Sequence, residues 1–246
     1  MARTLKTLIL VTLASVPLTS FTPAPLAQTT LYVNRTPNPF VFKADKLAFD
    51  TDTSCEEQSA IDAKQGLNAL RQVYHDTLGY ARAPEVRLKG RYFCSESAYE
   101  AYKQRLGASS VSGTGFFSPH HQEIVVMSRA PHQGRQTLMH EASHALLRSQ
   151  KAAYSKWLNE GLAEYFEGAS WDDHTGFKIQ PQQVKDNRIK SLYRKGQLPA
   201  LTAYLKLSDG QWQSMQSPVP VASTWVIRYH CPLIGSKTYP PGTILG

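Results

Sequence analysis

Apolar positions along this chain follow two periods, one typical of helices and one typical of strands. From residue 56 to residue 78 they recur at a helical spacing, and Gly79 is a typical helix terminator. Ser95 is a suitable N-cap for a second helix over 96–106. The apolar stripe of the first helix consists of Ile61, Leu67, Leu70, Val73 and Leu78.

Short apolar or alternating segments bounded by turn residues predict β-strands. They lie at 86–89, 113–117, 123–127 and 177–179, and a short strand is expected to begin at 41–42. Apolar residues near a helical period predict further helices at 136–147, 157–166, 184–195 and 201–207, and another beginning at 224. Residues 171–176 are expected to form a loop. This order of elements predicts an α+β fold whose C-terminal part is mostly helical.

The first 27 residues have the pattern of a secretory signal peptide. Arg3 and Lys6 precede an apolar run over 8–18, and Ala27 is a small residue before a plausible cleavage point. The run is too short for a permanent membrane anchor. We therefore expect an exported bacterial protein, periplasmic or extracellular, without a stable membrane anchor. Residues 28–230 are long enough for a single domain, and 231–246 form a Pro/Gly-rich irregular tail.

The excess of basic residues is modest. Removal of residues 1–27 would take away Arg3 and Lys6 and no acidic residue, so the formal net charge falls from +8 to +6. The basic residues are dispersed, which does not favour nucleic-acid binding. Weak association with an anionic envelope surface remains compatible with this charge.

Three cysteines are present, Cys55, Cys94 and Cys231. Export makes a disulfide plausible, and we expect it between Cys55 and Cys94, because each flanks a helical segment and both precede the chemistry-bearing region. The cysteines have no C-x-x-C spacing that would indicate a metal site.

The residues with the clearest chemistry are His140, Glu141 and His144, which form an H-E-x-x-H sequence. On a helix, residues i and i+4 lie on one face, so the two histidines can hold one metal ion together. Zinc is the metal typical of this spacing, and Glu141 would act as the general base. The alternative is that both are ordinary core histidines.

A third ligand is expected from the next predicted helix. Glu160 lies far enough from His144 for the chain to finish one helix, turn and return with a carboxylate. Three protein ligands would leave one position of a tetrahedral Zn²⁺ open, as in catalytic sites. We expect one zinc ion per chain. Glu160 could instead be a solvated carboxylate on a helix surface. His120 and His121 are less suitable ligands, because they lie in a predicted turn.

HEASH followed by WLNEGLAEYFE resembles the gluzincins, the zincin metallopeptidases whose third zinc ligand is a glutamate on a following helix. The chain over about 84–230 is most similar to the secreted bacterial peptidase MA-like domains. The resemblance implies a zincin-like fold, in which a small mixed β-sheet packs on the H-E-x-x-H helix and on the following glutamate helix. It also implies that His140, His144 and Glu160 are zinc ligands and that Glu141 is the base.

Further roles follow from the same resemblance. Glu164 matches an acidic position that hydrogen-bonds the first zinc histidine, here His140. An edge strand that pairs with extended substrate would be residues 115–117 or 123–126. A tyrosine or histidine usually helps to bind the oxyanion, and the candidates are Tyr165, Tyr193 and Tyr204.

The function expected from the sequence is therefore a secreted zinc metallopeptidase that acts on a peptide or protein substrate. Two alternatives remain open. One is a catalytically inactive zinc-binding envelope protein, and the other is a zinc amidase that acts on peptidoglycan peptides.

Overall fold

The computed structural model describes residues 47–51, 55–80, 83, 86–150, 154–172, 176–180 and 182–214. The expected signal peptide, the strand at 41–42, the helix beginning at 224, Cys231 and the C-terminal tail lie outside these residues. No helix in the described ranges is long and apolar enough to cross a membrane.

Six strands and seven helices can be assigned within the described residues. The strands are β1 Leu47–Thr51, β2 Leu88–Phe93, β3 Gly115–Ser118, β4 Glu123–Met127, β5 Ala169–Asp172 and β6 Gly176–Ile179. The helices are α1 Glu57–Asp76, α2 Glu96–Arg105, α3 Pro131–Ser149, α4 Lys156–Phe166, α5 Gln183–Arg194, α6 Leu201–Tyr204 and α7 Asp209–Ser214.

The main sheet has four strands in the order β1-β2-β4-β3. β1, β2 and β4 are parallel, whereas β3 runs antiparallel to β4 and forms one edge. The α+β class and the small mixed sheet are therefore confirmed. β4 lies between two layers of helices, and Ile124, Val125 and Val126 are fully buried, which explains its continuous apolar sequence.

The two faces of the sheet carry separate apolar clusters. On one face, side chains of β2 and β4 pack with α1 and α3 in the main core. On the other face, Phe93, Val125 and Met127 pack with Tyr99 and Tyr102 of α2. Alternation along the strands thus places the predicted metal-binding helix on the larger core.

The predicted helix ends are accurate where local chemistry determines them. Ser95 caps α2 by accepting a hydrogen bond from the Ala98 N–H at 3.4 Å. Gly79 follows the end of α1 with φ +72°, a conformation that suits glycine. The buried face of α1 differs in one respect from the predicted stripe, because Ile61 is 43% exposed.

Four segments differ from the sequence-based prediction. β1 and α7 were not predicted, and α6 is shorter than the expected helix over 201–207. Trp171, Asp172 and Gly176 of the expected loop instead belong to the antiparallel pair of strands β5 and β6, and 173–175 lie outside the described residues. Ala169, Phe177 and Ile179 of this pair lie in the core. Trp171 packs directly over Gly66 of α1, where an added Cβ would lie 2.2 Å from the indole ring.

The Cys55–Cys94 disulfide is present, as predicted. It joins the segment before α1 to the end of β2. A disulfide is consistent with an oxidising compartment outside the cytoplasm.

Candidate metal centre

The centre begins with two histidines one turn apart on α3. The neighbouring residues Ala142, Ser143, Ala145 and Leu146 are buried and anchor this part of the helix. The His140 and His144 side chains therefore project together, with their ring centroids 4.8 Å apart.

α4 packs against α3 and brings Glu160 to these rings. One oxygen of Glu160, Oε2, lies 3.8 Å from His140 Nε2 and 3.7 Å from His144 Nε2. Ligand atoms of these three residues lie within 4.8 Å of one another. The sequence thus correctly predicts which residues meet, and the group could hold a metal ion.

The His140 and His144 rings are each held by a hydrogen bond on the side that faces away from Glu160. His140 Nδ1 lies 2.7 Å from Glu167 Oε1, and His144 Nδ1 lies 3.0 Å from Asn159 Oδ1. Because both partners are oxygen acceptors, each Nδ1 is the donor. Both Nε2 atoms therefore face Glu160, as required for metal ligands whose other ring nitrogen is fixed.

Glu167, and not Glu164, makes the hydrogen bond to His140, so the predicted role of Glu164 is corrected. Seven residues on a helix are close to two full turns, so Glu167 points within about 20° of Glu160, whereas Glu164 is turned by about 40°. Glu164 remains nearby, since it forms a second acidic group with His140 and Glu167.

A lysine of α5 lies against this second group. Lys185 Nζ contacts Glu164 Oε2 and lies 2.5 Å from Glu167 Oε2. Glu167 thus uses one oxygen for His140 and the other for Lys185. The side chains of His140, Glu164, Glu167 and Lys185 are 18%, 17%, 20% and 25% exposed, so the whole chain of contacts is largely buried.

Glu141 lies on the sheet side of the centre. Burial raises the pKa of its carboxyl, although His140, His144 and a hydrogen bond from the Phe117 backbone act in the opposite direction. Phe117 belongs to the edge strand β3. Gly115 on the same strand approaches α3 so closely that an added Cβ would lie 3.4 Å from Glu141 Cγ. The carboxylate therefore lies between the paired histidines and the sheet edge.

The strand next to Glu141 directs some of its backbone groups away from the sheet, and one of them, the Phe117 N–H, donates to Glu141. The Met127 N–H donates to the Thr114 carbonyl at 2.7 Å, so these two residues form a hydrogen-bonded pair. In an antiparallel ladder every second residue bonds to the neighbouring strand. The residues between, Gly115 and Phe117, therefore direct their N–H and C=O groups away from β4. β4 itself is an interior strand, which leaves β3 as the edge that a peptide could join.

The acidic surroundings change the titration of the centre. Burial lowers the pKa of His140, but the hydrogen bond to Glu167 and the charges of Glu141, Glu167 and Glu160 outweigh it and raise the pKa to about 9. Burial and the nearby Glu167 raise the pKa of Glu164. Burial acts the same way on Glu167, but His140 and Lys185 lower its pKa overall.

The three tyrosines proposed for the oxyanion occupy different places. Tyr165 is 5% exposed and packs in the main core, with its ring centroid 5.4 Å from that of Phe166. Tyr204 is 1% exposed and its hydroxyl accepts a hydrogen bond from Trp212 Nε1 at 3.1 Å. Tyr193 is 59% exposed. Burial argues against Tyr165 and Tyr204, and the oxyanion role of any of the three stays a prediction.

The turn histidines lie apart from this chemistry. His120 and His121 are exposed, and His121 Nδ1 lies 3.0 Å from Ser118 Oγ. Neither belongs to a metal-binding group among the described residues.

Sequence reasoning missed Asn159, Glu167 and Lys185. The position of Asn159 immediately before Glu160 and the seven-residue spacing of Glu167 were available signals. Lys185 gave no comparable signal, because its contact with α4 depends on the packing of α5. The chain matches no protein-family model and no curated protein.

Proposed function

We propose that this chain is a zinc-dependent metallopeptidase that hydrolyses peptide bonds with Glu141 as general base. The observation that carries the proposal is the convergence of both Nε2 atoms on one Glu160 oxygen, at 3.8 and 3.7 Å, beside a buried Glu141. The mixed sheet, the paired-histidine helix and the following glutamate helix support a zincin-like architecture of the gluzincin type.

The donor set suits zinc. Two imidazole nitrogens and one carboxylate match the ligands of catalytic zinc sites, and each imidazole has its second nitrogen hydrogen-bonded. His140, His144 and Glu160 would hold the ion. When bound, zinc supplies Lewis-acid chemistry, which polarises a carbonyl group and makes water more acidic.

The residues of the chain account for the rest of the reaction. The outer edge of β3 would pair with an extended peptide through the N–H and C=O groups of Gly115 and the C=O group of Phe117, because the Phe117 N–H donates to Glu141. Glu141, next to that strand, would take the proton of the attacking water and deliver it to the leaving amine. Its raised pKa brings the carboxyl closer to neutral pH, which suits a group that both accepts and donates a proton.

The first test is metal content and hydrolysis by the purified mature protein. We expect about one zinc per chain after dialysis. Glu160→Ala should lose the zinc. Glu141→Gln should keep the zinc and the fold but lose hydrolysis of a fluorogenic peptide mixture by at least about 100-fold. Glu96→Ala is the matched control, because Glu96 is 64% exposed on α2, at the other face of the sheet.

The outcomes separate the three candidate functions. Zinc binding without hydrolysis of peptides or cell-wall fragments would indicate the inactive envelope protein. Release of peptidoglycan peptides alone would indicate an amidase. Absence of zinc from a folded, zinc-supplemented sample would remove the metallopeptidase proposal itself.

A further inference from the structure

Lys185 is placed in the first turn of α5, where a cation is not favoured. The N-terminus of a helix carries a partial positive charge, and its C-terminus a partial negative one. Lys185 lies at the positive end of α5, while Glu164 and Glu167 lie at the negative end of α4. Each of these charges therefore interacts unfavourably with the dipole of its own helix. The contact of Lys185 with the two carboxylates offsets this unfavourable energy.

The junction before α5 holds this arrangement in place. Gln182 Nε2 donates to the Glu164 carbonyl at 2.8 Å, which ties the start of α5 to the last turn of α4. The Gln180 N–H donates to the Gly168 carbonyl at 2.7 Å. An added Cβ on Gly168 would lie 2.7 Å from the Gln180 carbonyl, so the two segments approach closely. Lys185 therefore reaches the acidic pair from a fixed backbone.

We propose that Lys185 is a positioning residue that acts through Glu167 to orient the metal ligand His140. The Glu167 carboxylate is held at two points, by Lys185 at Oε2 (2.5 Å) and by His140 at Oε1 (2.7 Å). Loss of the ammonium would free Glu167 Oε2 and leave the carboxylate held only at Oε1, by His140. Glu167 would then turn away, and the His140 ring would lose its fixed orientation towards the metal.

This inference rests on the proposed metal centre but adds a residue from a third helix to it. Loss of a direct hydrogen-bonding partner of a metal ligand typically weakens metal binding about 10- to 100-fold. Lys185 is one step further away, so we expect a smaller effect, about 3- to 10-fold.

The test must separate orientation from charge, since removal of a cation also makes the centre more negative. The double variant Glu164→Gln/Lys185→Met removes one negative and one positive charge and leaves the net charge unchanged. We expect its zinc dissociation constant, measured by competition with a chromogenic chelator, to be about 3- to 10-fold higher than that of the wild type. Lys190→Met, on the same helix, is the control and should bind zinc as the wild type does.

A double-mutant cycle tests whether Lys185 acts through Glu167. Glu167→Gln should weaken zinc binding by itself, and adding Lys185→Met to it should cause no further loss. The visible spectrum of the Co²⁺-substituted charge-balanced variant should also differ from that of the wild type, since ligand orientation changes the metal geometry. Circular dichroism of the metal-free proteins checks that each variant is folded.

Two results would overturn the role of Lys185. One is wild-type zinc affinity and an unchanged Co²⁺ spectrum in the charge-balanced variant. The other is an equal loss of zinc affinity when Lys185→Met is introduced into the wild type and into Glu167→Gln. Failure of the wild type to bind zinc would instead refute the metal centre, so the two failures can be distinguished.

Discussion

Gly115 is the point at which the edge strand touches the helix that carries Glu141. An added Cβ would lie 2.3 Å from Thr137 Cγ2 and 3.1 Å from the Val125 carbonyl oxygen. Carbon atoms in contact are about 3.5 to 4.0 Å apart, so Gly115→Ala would force β3 and α3 about 1 Å apart. Gly115 is not among the positive-φ glycines, so the cost of alanine is steric and not conformational.

We expect Gly115→Ala to lower the free energy of unfolding by about 1 to 3 kcal/mol, the usual cost of overpacking. The strand displacement would also stretch the hydrogen bond from Phe117 to Glu141 and reduce kcat/KM for peptide hydrolysis. Urea unfolding of the metal-free protein measures the first effect, and a fluorogenic peptide assay measures the second.

Thr137→Ser provides a compensating change. It removes Cγ2, the atom closest to the added methyl group, and keeps the hydroxyl that lies 3.2 Å from Thr114 Oγ1. Alone it should cost less than about 1 kcal/mol, because Thr137 is only partly buried. Combined with Gly115→Ala, it should restore about 1 kcal/mol of the lost free energy of unfolding. The remaining loss should persist, because the added Cβ still lies close to the Val125 carbonyl oxygen.

The control is Gly210→Ala in α7, where no described atom lies within 4 Å of the added Cβ. That variant should be neutral or slightly stabilised. Simple additivity of the substitutions at Gly115 and Thr137 would refute the steric explanation, because it would mean that the added methyl group and Thr137 Cγ2 do not collide.

Two further predictions concern the disulfide and the pH dependence of stability. Replacement of Cys55 and Cys94 by serine should lower the free energy of unfolding by about 4 kcal/mol. The reason is that the disulfide closes a loop of 39 residues and so reduces the entropy of the unfolded chain. A loss below about 1 kcal/mol in urea unfolding would contradict this expectation. The pKa of His140 is raised from 6.5 to about 9, because the Glu167 hydrogen bond and nearby carboxylates outweigh its burial. Its contribution to stability is therefore present below pH 6.5 and lost as the pH rises through about 9. Unfolding of the chelator-treated protein between these pH values should show the decline, and an equally steep decline in His140→Gln would refute the assignment.

Much of the fold was predictable because local rules determine it. The helical period and the Gly79 terminator defined α1, and Ser95 defined the start of α2. β5 was missed because it has only four residues, too few for an alternating pattern to be recognised, whereas the predicted strand at 177–179 corresponds to β6. The contact of Trp171 with Gly66, by contrast, depends on residues far apart in the chain.

The sequence by itself determined which residues could hold a metal ion, since a helix necessarily places His140 and His144 on one face and a returning helix can supply Glu160. Only the tertiary structure decided which groups orient them. Glu167 instead of Glu164 reaches His140, Lys185 joins from α5, and β3 instead of β4 lies at the edge beside Glu141. The physical reason is that residue type and local period determine which groups share a face, whereas distances between faces follow from how separate elements pack.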